Sequence, residues 1–131
     1  MEENYNGKGM PGTAALAYLG DARHSLFVRR MLVGRGICKS GELNSAALRY
    51  VTAEAQAAMY RAVEGMLTDR ERDVFRRAFN SKHLNKPKRA SGLDYRTATG
   101  FEAVVGMLFL LGDEERLDLL LTAAHKAIDT E

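Results

Sequence analysis

The stretch YRTATGFEAVVGMLFLL, residues 95–111, decides the fold, because no other part of the chain is as apolar over such a length. Asp94 is predicted to cap the start of a helix here, and Gly112 to end it. A helix this apolar has to be buried over most of its surface. We therefore predict a central helix against which the rest of the chain packs.

Segments of helical periodicity lie before and after this stretch. From Thr13 the apolar residues predict one long helix, or two in tandem with Gly20 as the break. Four later residues are predicted helix caps, because their side chains can accept hydrogen bonds from a first turn: Ser40, Thr52, Thr68 and Asp113. The sequence TDRE at Thr68 matches a capping box, and a basic helix should follow it to about Lys82. With no β-type alternation in the chain, we predict an all-α fold of six or seven helices.

Composition and length are those of one globular domain. The chain has 131 residues, 46% of them hydrophobic and 27% charged, which suffices for a single buried core. Residues 1–12 are expected to form a flexible leader, and residues 13–131 the folded domain. A single cysteine, Cys38, excludes an internal disulfide, and no zinc-ligand spacing is present. With neither a signal peptide nor a membrane-spanning run, we expect a cytoplasmic protein with no membrane partner.

Positive charge is concentrated in one part of the chain. Eight lysine or arginine residues and two acidic residues lie from Arg70 to Arg89, although the whole chain has a net charge of only +2. The sequence HLNKPKRASG, residues 83–92, breaks the periodicity and is expected to be an exposed loop. A solvated surface is one interpretation, and contact with nucleic-acid phosphates is the other. The second interpretation gives these contact residues: Asn80, Lys82, Lys86, Lys88 and Arg89.

Two carboxylates stand where an apolar residue would be expected. Asp21 lies beside Gly20 in the first amphipathic segment, and Glu102 is the only charged residue from Thr97 to Gly112. Each acid could simply face solvent or pair with an arginine. Small neighbours would also let the two helices cross closely, and carboxylates meeting there would repel unless a cation such as Mg²⁺ lay between them. A Mg²⁺ site beside a basic segment indicates hydrolysis of a nucleic-acid backbone.

Several segments resemble the ribonuclease III family. ALAYLGDA (residues 15–22) is similar to its signature helix, and TGFEAVVGMLFL (residues 99–110) to its second catalytic helix. GELNSAALRYVTAEAQA (residues 41–57) is also similar to the family. The short length, with RRAFNSK (residues 76–82) and YRTATGFEA (residues 95–103), resembles more narrowly the Mini-III ribonucleases, which lack a double-stranded-RNA-binding domain. The resemblance covers nearly all of the chain after the leader.

This resemblance implies the family's helical endonuclease domain and its chemistry. The expected activity is Mg²⁺-dependent hydrolysis of double-stranded RNA, with Mn²⁺ as a substitute ion and with 5′-phosphate and 3′-hydroxyl product ends. Asp21 and Glu102 would be both the metal ligands and the catalytic residues. The implied substrate is a stem in precursor large-subunit (23S) ribosomal RNA, for which a ribosomal protein is a further candidate partner.

The family also implies a homodimer with one active site for each RNA strand. Tyr18 matches an aromatic residue of the family's dimer interface, although an aromatic in its own subunit's core is the alternative. Ala17 and Thr99 replace two outer acids of the full-length family, so we expect one firmly bound metal ion. The Thr99 hydroxyl is a candidate for holding a metal-bound water, or it simply packs. His24, three residues after Asp21, is interpreted as a surface or supporting residue.

Two other functions are also compatible with the sequence. Loss of the outer acids could mark a non-catalytic module that binds structured RNA during ribosome assembly. A helical scaffold whose basic segment meets an acidic protein is the third hypothesis, but it leaves Asp21 and Glu102 unexplained.

Overall fold

The computed structural model of the protein describes residues 9–81 and 92–129, and within these ranges it contains six α-helices and no β-strand. In chain order the helices are α1 (Thr13–Gly34), α2 (Ser40–Val51), α3 (Ala53–Val63), α4 (Asp69–Phe79), α5 (Gly92–Leu110) and α6 (Glu114–Asp129). A 3-10 turn at Glu64–Met66 lies between α3 and α4. The predicted all-α fold is confirmed. Most of the predicted leader (residues 1–8) and most of the predicted exposed loop (residues 83–91) lie outside the described residues.

Helix α5 is at the centre of the packing, as its apolar sequence predicts. Helices α1, α3, α4 and α6 all pack against it. Every residue from Thr97 to Leu108 is buried except Glu102, which is half-buried. Burial of one large apolar side chain contributes about 1.5–3 kcal/mol, which explains why the other helices gather on α5. Even so, no helix within residues 9–81 and 92–129 is long and apolar enough to cross a bilayer.

Helix α1 runs without a break through Gly20, so the first amphipathic segment forms one helix rather than two. Gly20 is where α1 crosses α5. A Cβ atom at Gly20 would lie 1.7 Å from the backbone oxygen of Glu102, and one at Gly106 would lie 2.0 Å from that of Leu16. Both distances are far inside van der Waals contact, so only glycine lets the two backbones approach this closely.

The predicted caps at Thr52, Thr68 and Asp113 are confirmed. In the capping box the Glu71 backbone N–H donates to the Thr68 hydroxyl (3.2 Å), and the Thr68 backbone N–H donates to the Glu71 carboxylate (2.9 Å). The side chains of Thr52 and Asp113 each accept from the backbone N–H three residues further along the chain. These bonds satisfy donors that a first turn leaves free. Gly112 follows α5 with a φ of 72°, as predicted for the residue that ends a helix.

Two other predicted caps lie inside their helices rather than directly before them. Ser40 and Asp94 lie inside the first turns of their helices, since α2 begins at Ser40 and α5 at Gly92. The basic helix α4 ends at Phe79 rather than near Lys82. Helix ends depend on the packing of neighbouring turns as well as on local capping preference, so the sequence places them less well than it places helix interiors.

The capping glutamate of α4 also anchors this helix to α6. Glu71 is buried and receives two hydrogen bonds from the Arg116 guanidinium, at 2.8 and 3.0 Å. The same guanidinium donates to the backbone oxygen of Met66 at 2.6 Å. Removing one partner of a buried pair of this kind costs about 3–5 kcal/mol. The start of the basic helix is therefore held firmly against the rest of the fold.

Candidate active site at the crossing of α1 and α5

The crossing of α1 and α5 brings together the two carboxylates that the sequence singled out. Asp21 directly follows Gly20 on α1, and Glu102 is the residue whose backbone oxygen lies against Gly20. The side chains of Asp21 and Glu102 come close enough there for Asp21 to raise the pKa of the Glu102 carboxyl. Asp21 is exposed and Glu102 is half-buried. The pair is therefore open to solvent on one side, where an ion or a substrate can reach it.

The surroundings of Glu102 favour its protonated form. Burial, together with the hydrogen bond to Asp21 and the charge of Asp21, raises the pKa of the Glu102 carboxyl to about 9. Two carboxyl groups at such short range resist ionising together. A divalent cation between them would reverse this preference, because it stabilises both negative charges. The pair is thus suited to bind a cation and would release a proton on doing so.

The donor atoms of this pair fit a hard divalent cation. Mg²⁺ and Mn²⁺ prefer carboxylate oxygens, and Mg²⁺ usually keeps several water ligands. Within residues 9–81 and 92–129, no group of three or more histidine, cysteine, aspartate or glutamate side chains is arranged to hold a metal ion. The two carboxylates are therefore the candidate ligands, and a cation held by them would leave most of its coordination positions to water or to phosphate oxygens.

Sequence reasoning missed a third residue at the site. Gln56, in α3, donates a hydrogen bond from Nε2 to the Glu102 carboxylate at 3.3 Å and another to the Val51 backbone oxygen at 3.1 Å. It is the only glutamine of the chain and lies among apolar residues in AEAQAAM, residues 53–59. This single amide on an apolar helix could have indicated the site from the sequence, because a buried amide needs polar partners.

The two positions that carry outer acids in the full-length family lie on the same helix faces as the carboxylate pair. Ala17 is buried in the core. Thr99 is also buried, and its hydroxyl donates to the backbone oxygen of Tyr95 at 2.9 Å. The single hydroxyl proton is therefore used within α5, while the oxygen can still accept a hydrogen bond. A role for Thr99 in holding a metal-bound water stays a prediction.

Only part of the predicted RNA-contacting segment falls within the described residues. Asn80 is exposed at the C-terminal end of α4. The other four candidates lie outside the described residues: Lys82, Lys86, Lys88 and Arg89. On α4 itself, three arginines form ion pairs with Asp69 and Asp73 about one turn away. These pairs offset part of the positive charge of α4, so the predicted contact with phosphates depends mainly on the residues from Asn80 onward.

Tyr18 lies on the outside of the subunit, so its interpretation as an aromatic of its own core is wrong. Its side chain is 84% exposed. Leu26 and Val33 lie on the same face of α1, at intervals of about two turns, and are 58% and 60% exposed. Large apolar side chains in one exposed stripe are typical of a surface that packs against another protein.

Of the two interpretations of His24, the surface residue is wrong, and the supporting role stays a prediction. His24 is fully buried, and its Nε2 lies 2.8 Å from Nε2 of His125 on α6, so one ring donates a hydrogen and the other accepts it. His125 stacks on Tyr50, and His24 meets the ring of Phe101 edge to face. The partner of His24 lies 101 residues further along the chain, which is why a local pattern did not identify its environment.

The histidine pair is expected to make the fold less stable in mildly acidic solution. Burial lowers the pKa of His24 and of His125 well below the ordinary 6.5, and the charges of Arg23 and Arg35 act in the same direction. Between about pH 6.5 and about pH 4, protons bind the unfolded chain but not the folded one. Each histidine then lowers the free energy of unfolding by up to about 1.4 kcal/mol per pH unit as the pH falls. Urea denaturation at a series of pH values measures this dependence.

The double variant His24→Leu/His125→Phe is the control for this prediction. It removes both titrating groups while keeping apolar volume in the core. Its free energy of unfolding should change less between neutral and mildly acidic pH than that of the unaltered protein. An equal pH dependence in the two proteins would contradict the depressed pKa values.

The chain is similar in sequence and in fold to proteins already known. The family described as Ribonuclease III domain matches residues 14–113, a range that includes Asp21 and Glu102. The Mini-ribonuclease 3 of Symbiobacterium thermophilum is 47% identical over 114 residues, covering 87% of this chain and 88% of the relative. The Mini-ribonuclease 3 of Brevibacillus brevis is 40% identical over 116 residues, covering 88% and 87%. A crystal structure of a protein from Fusobacterium nucleatum is similar with a TM-score of 0.80 and 27% identity, over 88% of this chain and 93% of that one.

Proposed function

Since the chain belongs to the ribonuclease III family and is an endoribonuclease, we propose that it cleaves double-stranded RNA with a divalent cation held between Asp21 and Glu102. The observation that carries this proposal is that the exposed Asp21 and the half-buried Glu102 come together where α1 crosses α5. Carboxylates alone would repel a phosphodiester, whereas carboxylates that hold a cation attract it. The site therefore supports metal-assisted hydrolysis of a phosphate ester.

In this proposal the protein supplies positioning and the ion supplies reactivity. Bound at the pair, Mg²⁺ or Mn²⁺ would polarise the phosphodiester and lower the pKa of an attacking water. Glu102 is held by its place on α5 and by the Gln56 amide, so its carboxylate stays turned toward Asp21. Asp21 is exposed, so in this proposal RNA would reach the pair from the Asp21 side. Both residues serve as metal ligands and catalytic groups, and hydrolysis leaves 5′-phosphate and 3′-hydroxyl ends.

The proposed substrate is a duplex stem in precursor large-subunit (23S) ribosomal RNA, processed in the cytoplasm. Proteins recognise duplex RNA mainly through its shape, its phosphates and its 2′-hydroxyls. Asn80, at the end of α4, and the basic side chains within residues 82–89 are the proposed phosphate contacts. The similarity to proteins named Mini-ribonuclease 3 supports RNA as the class of substrate.

A homodimer would place one such site on each strand of the duplex. The support for this assembly is the exposed apolar stripe of α1, formed by Tyr18, Leu26 and Val33. Burying an apolar stripe of this length against a second copy of itself lowers the free energy relative to leaving it exposed to water. Asp21 lies on the same helix, so a dimer formed through this stripe would have its two active sites close to the interface.

Replacing Tyr18 with glutamate should break the proposed homodimer. The substitution removes a large aromatic side chain and adds a charge to an apolar stripe, so we expect the dissociation constant to rise about 100-fold or more, equal to about 2.7 kcal/mol. Sedimentation velocity at several protein concentrations measures the change. The matched control is Leu48→Glu, because Leu48 is 60% exposed and lies on a different helix, α2. Unchanged sedimentation of Tyr18→Glu would count against this interface.

A cleavage assay on a defined RNA duplex tests the proposed function. Purified protein is expected to make staggered cuts in a labelled duplex when Mg²⁺ or Mn²⁺ is present, and none after chelation with EDTA. Mapping of the ends should show 5′-phosphate and 3′-hydroxyl groups. A duplex that is bound but stays intact under every metal condition would instead indicate the RNA-binding module considered above.

A further inference from the structure

We propose that Gln56 is a positioning residue that holds Glu102 in the orientation needed to bind a divalent cation, an inference that rests on the proposed function. Gln56 reaches the carboxylate from α3, so three helices meet at the site. The side chain is buried, with 2% of its surface exposed. It therefore acts on Glu102 from inside the fold, on the side away from substrate.

The bond to Val51 fixes which way the Gln56 amide points. A backbone oxygen can only accept a hydrogen bond, so the group that faces the Val51 oxygen at 3.1 Å has to be the NH₂ of the amide. The second hydrogen of that NH₂ is then free to point to Glu102 Oε2, 3.3 Å away. A fixed donor at this place stabilises negative charge on the carboxylate and restricts its rotation.

Stability alone does not explain an amide at this position. The carbonyl oxygen of Gln56 is buried and has no hydrogen-bond partner among the residues that the structure describes. A buried acceptor without a partner destabilises a fold, whereas an apolar side chain of similar volume avoids this loss. A residue that lowers stability while it contacts a functional carboxylate is typical of a position constrained by function.

The variant Gln56→Met tests the inference, because methionine keeps the length of the side chain and lacks the donor. We expect the dissociation constant for Mn²⁺, measured by calorimetry in the absence of RNA, to rise about 10- to 100-fold, the usual effect of removing a residue that orients a metal ligand. At low Mg²⁺, kcat for duplex cleavage should fall while KM for RNA is unchanged, and added Mg²⁺ should restore part of the rate. Thermal stability should stay equal or rise.

Two further variants make the test specific. Gln56→Leu also lacks the donor and should give the same pattern, which guards against a local effect of methionine. Thr97→Val is the matched control, because Thr97 is buried on α5 and its hydroxyl donates within that helix, to the Leu93 backbone oxygen at 2.8 Å. Its Mn²⁺ affinity should equal that of the unaltered protein.

The possible outcomes separate this inference from the proposed function. Unaltered Mn²⁺ affinity in Gln56→Met and Gln56→Leu would overturn the positioning role, and so would lower thermal stability with unaltered Mn²⁺ affinity. If the unaltered protein itself neither binds Mn²⁺ nor cuts a duplex, the proposed function fails, and the inference fails with it.

Discussion

The variant Asp21→Asn should lose at least about 1,000-fold in cleavage rate, equal to about 4 kcal/mol of transition-state stabilisation, while it still binds duplex RNA. Asparagine keeps the shape of the side chain but lacks the charge that would hold a cation. Glu102→Gln should lose as much for the same reason. Single-turnover cleavage measures the rate, and a mobility-shift assay measures the affinity for RNA. Most of that affinity should survive, because the other proposed phosphate contacts lie at Asn80 and beyond.

Two comparisons make this expectation specific to the carboxylate pair. Glu115→Gln removes an exposed carboxylate at the start of α6 and should cut at the unaltered rate. The double variant of Asp21 and Glu102 should be no slower than either single variant, because the two residues act on one ion and their effects do not add. Cleavage by either single variant at the unaltered rate would exclude that residue from catalysis.

Replacing Gly20 with alanine is expected to lower the free energy of unfolding by about 3 kcal/mol, at the upper end of the usual effect of overpacking. The added Cβ would lie 1.7 Å from the backbone oxygen of Glu102 and 2.9 Å from the backbone nitrogen of Gly106. Backbone atoms cannot rotate aside as a side chain can, so α1 and α5 would have to separate. Thermal denaturation should show a fall in Tm of about 10 °C.

The same substitution should also weaken the active site. Separating the two helices moves Asp21 away from Glu102, and a displacement of about 1 Å at a catalytic site can cost about 100-fold in rate. Gly41→Ala is the matched control, since Gly41 lies in α2 and an added Cβ would meet nothing within 4 Å beyond its chain neighbours and the backbone of its own helix. That variant should be neutral or more stable by up to about 1 kcal/mol. If Gly20→Ala were equally harmless, the close crossing would be wrong.

The helices were predictable because the contacts that form them are local. The capping box at Thr68 and the Asp113 cap each join residues three positions apart, so a short sequence window contains all of the interacting groups. The burial of α5 could likewise be predicted from its own apolar sequence. Helix ends such as those at Ser40 and Asp94 were predicted less well, since they depend also on neighbouring helices.

The site was predictable only in part. A charged residue within an apolar helix needs a partner that offsets the cost of burying its charge. This is why Asp21 and Glu102 could be singled out from the sequence. The surroundings of Tyr18 and His24 were not decided by their neighbours in sequence. One side chain faces outward and the other is buried against His125, and both outcomes follow from which helix packs on which face of α1.

By itself the sequence determined that the chain is all-helical and which helix is central. It also identified two acidic residues within apolar segments as candidate metal ligands. Only the tertiary structure decided that these acids meet, that Gly20 and Gly106 allow the meeting, and that Gln56 supports Glu102 from a third helix. The physical reason is range: hydrogen bonds within a helix join residues three or four positions apart, whereas the active-site contacts join α1, α3 and α5, whose relative placement depends on the packing of the whole core.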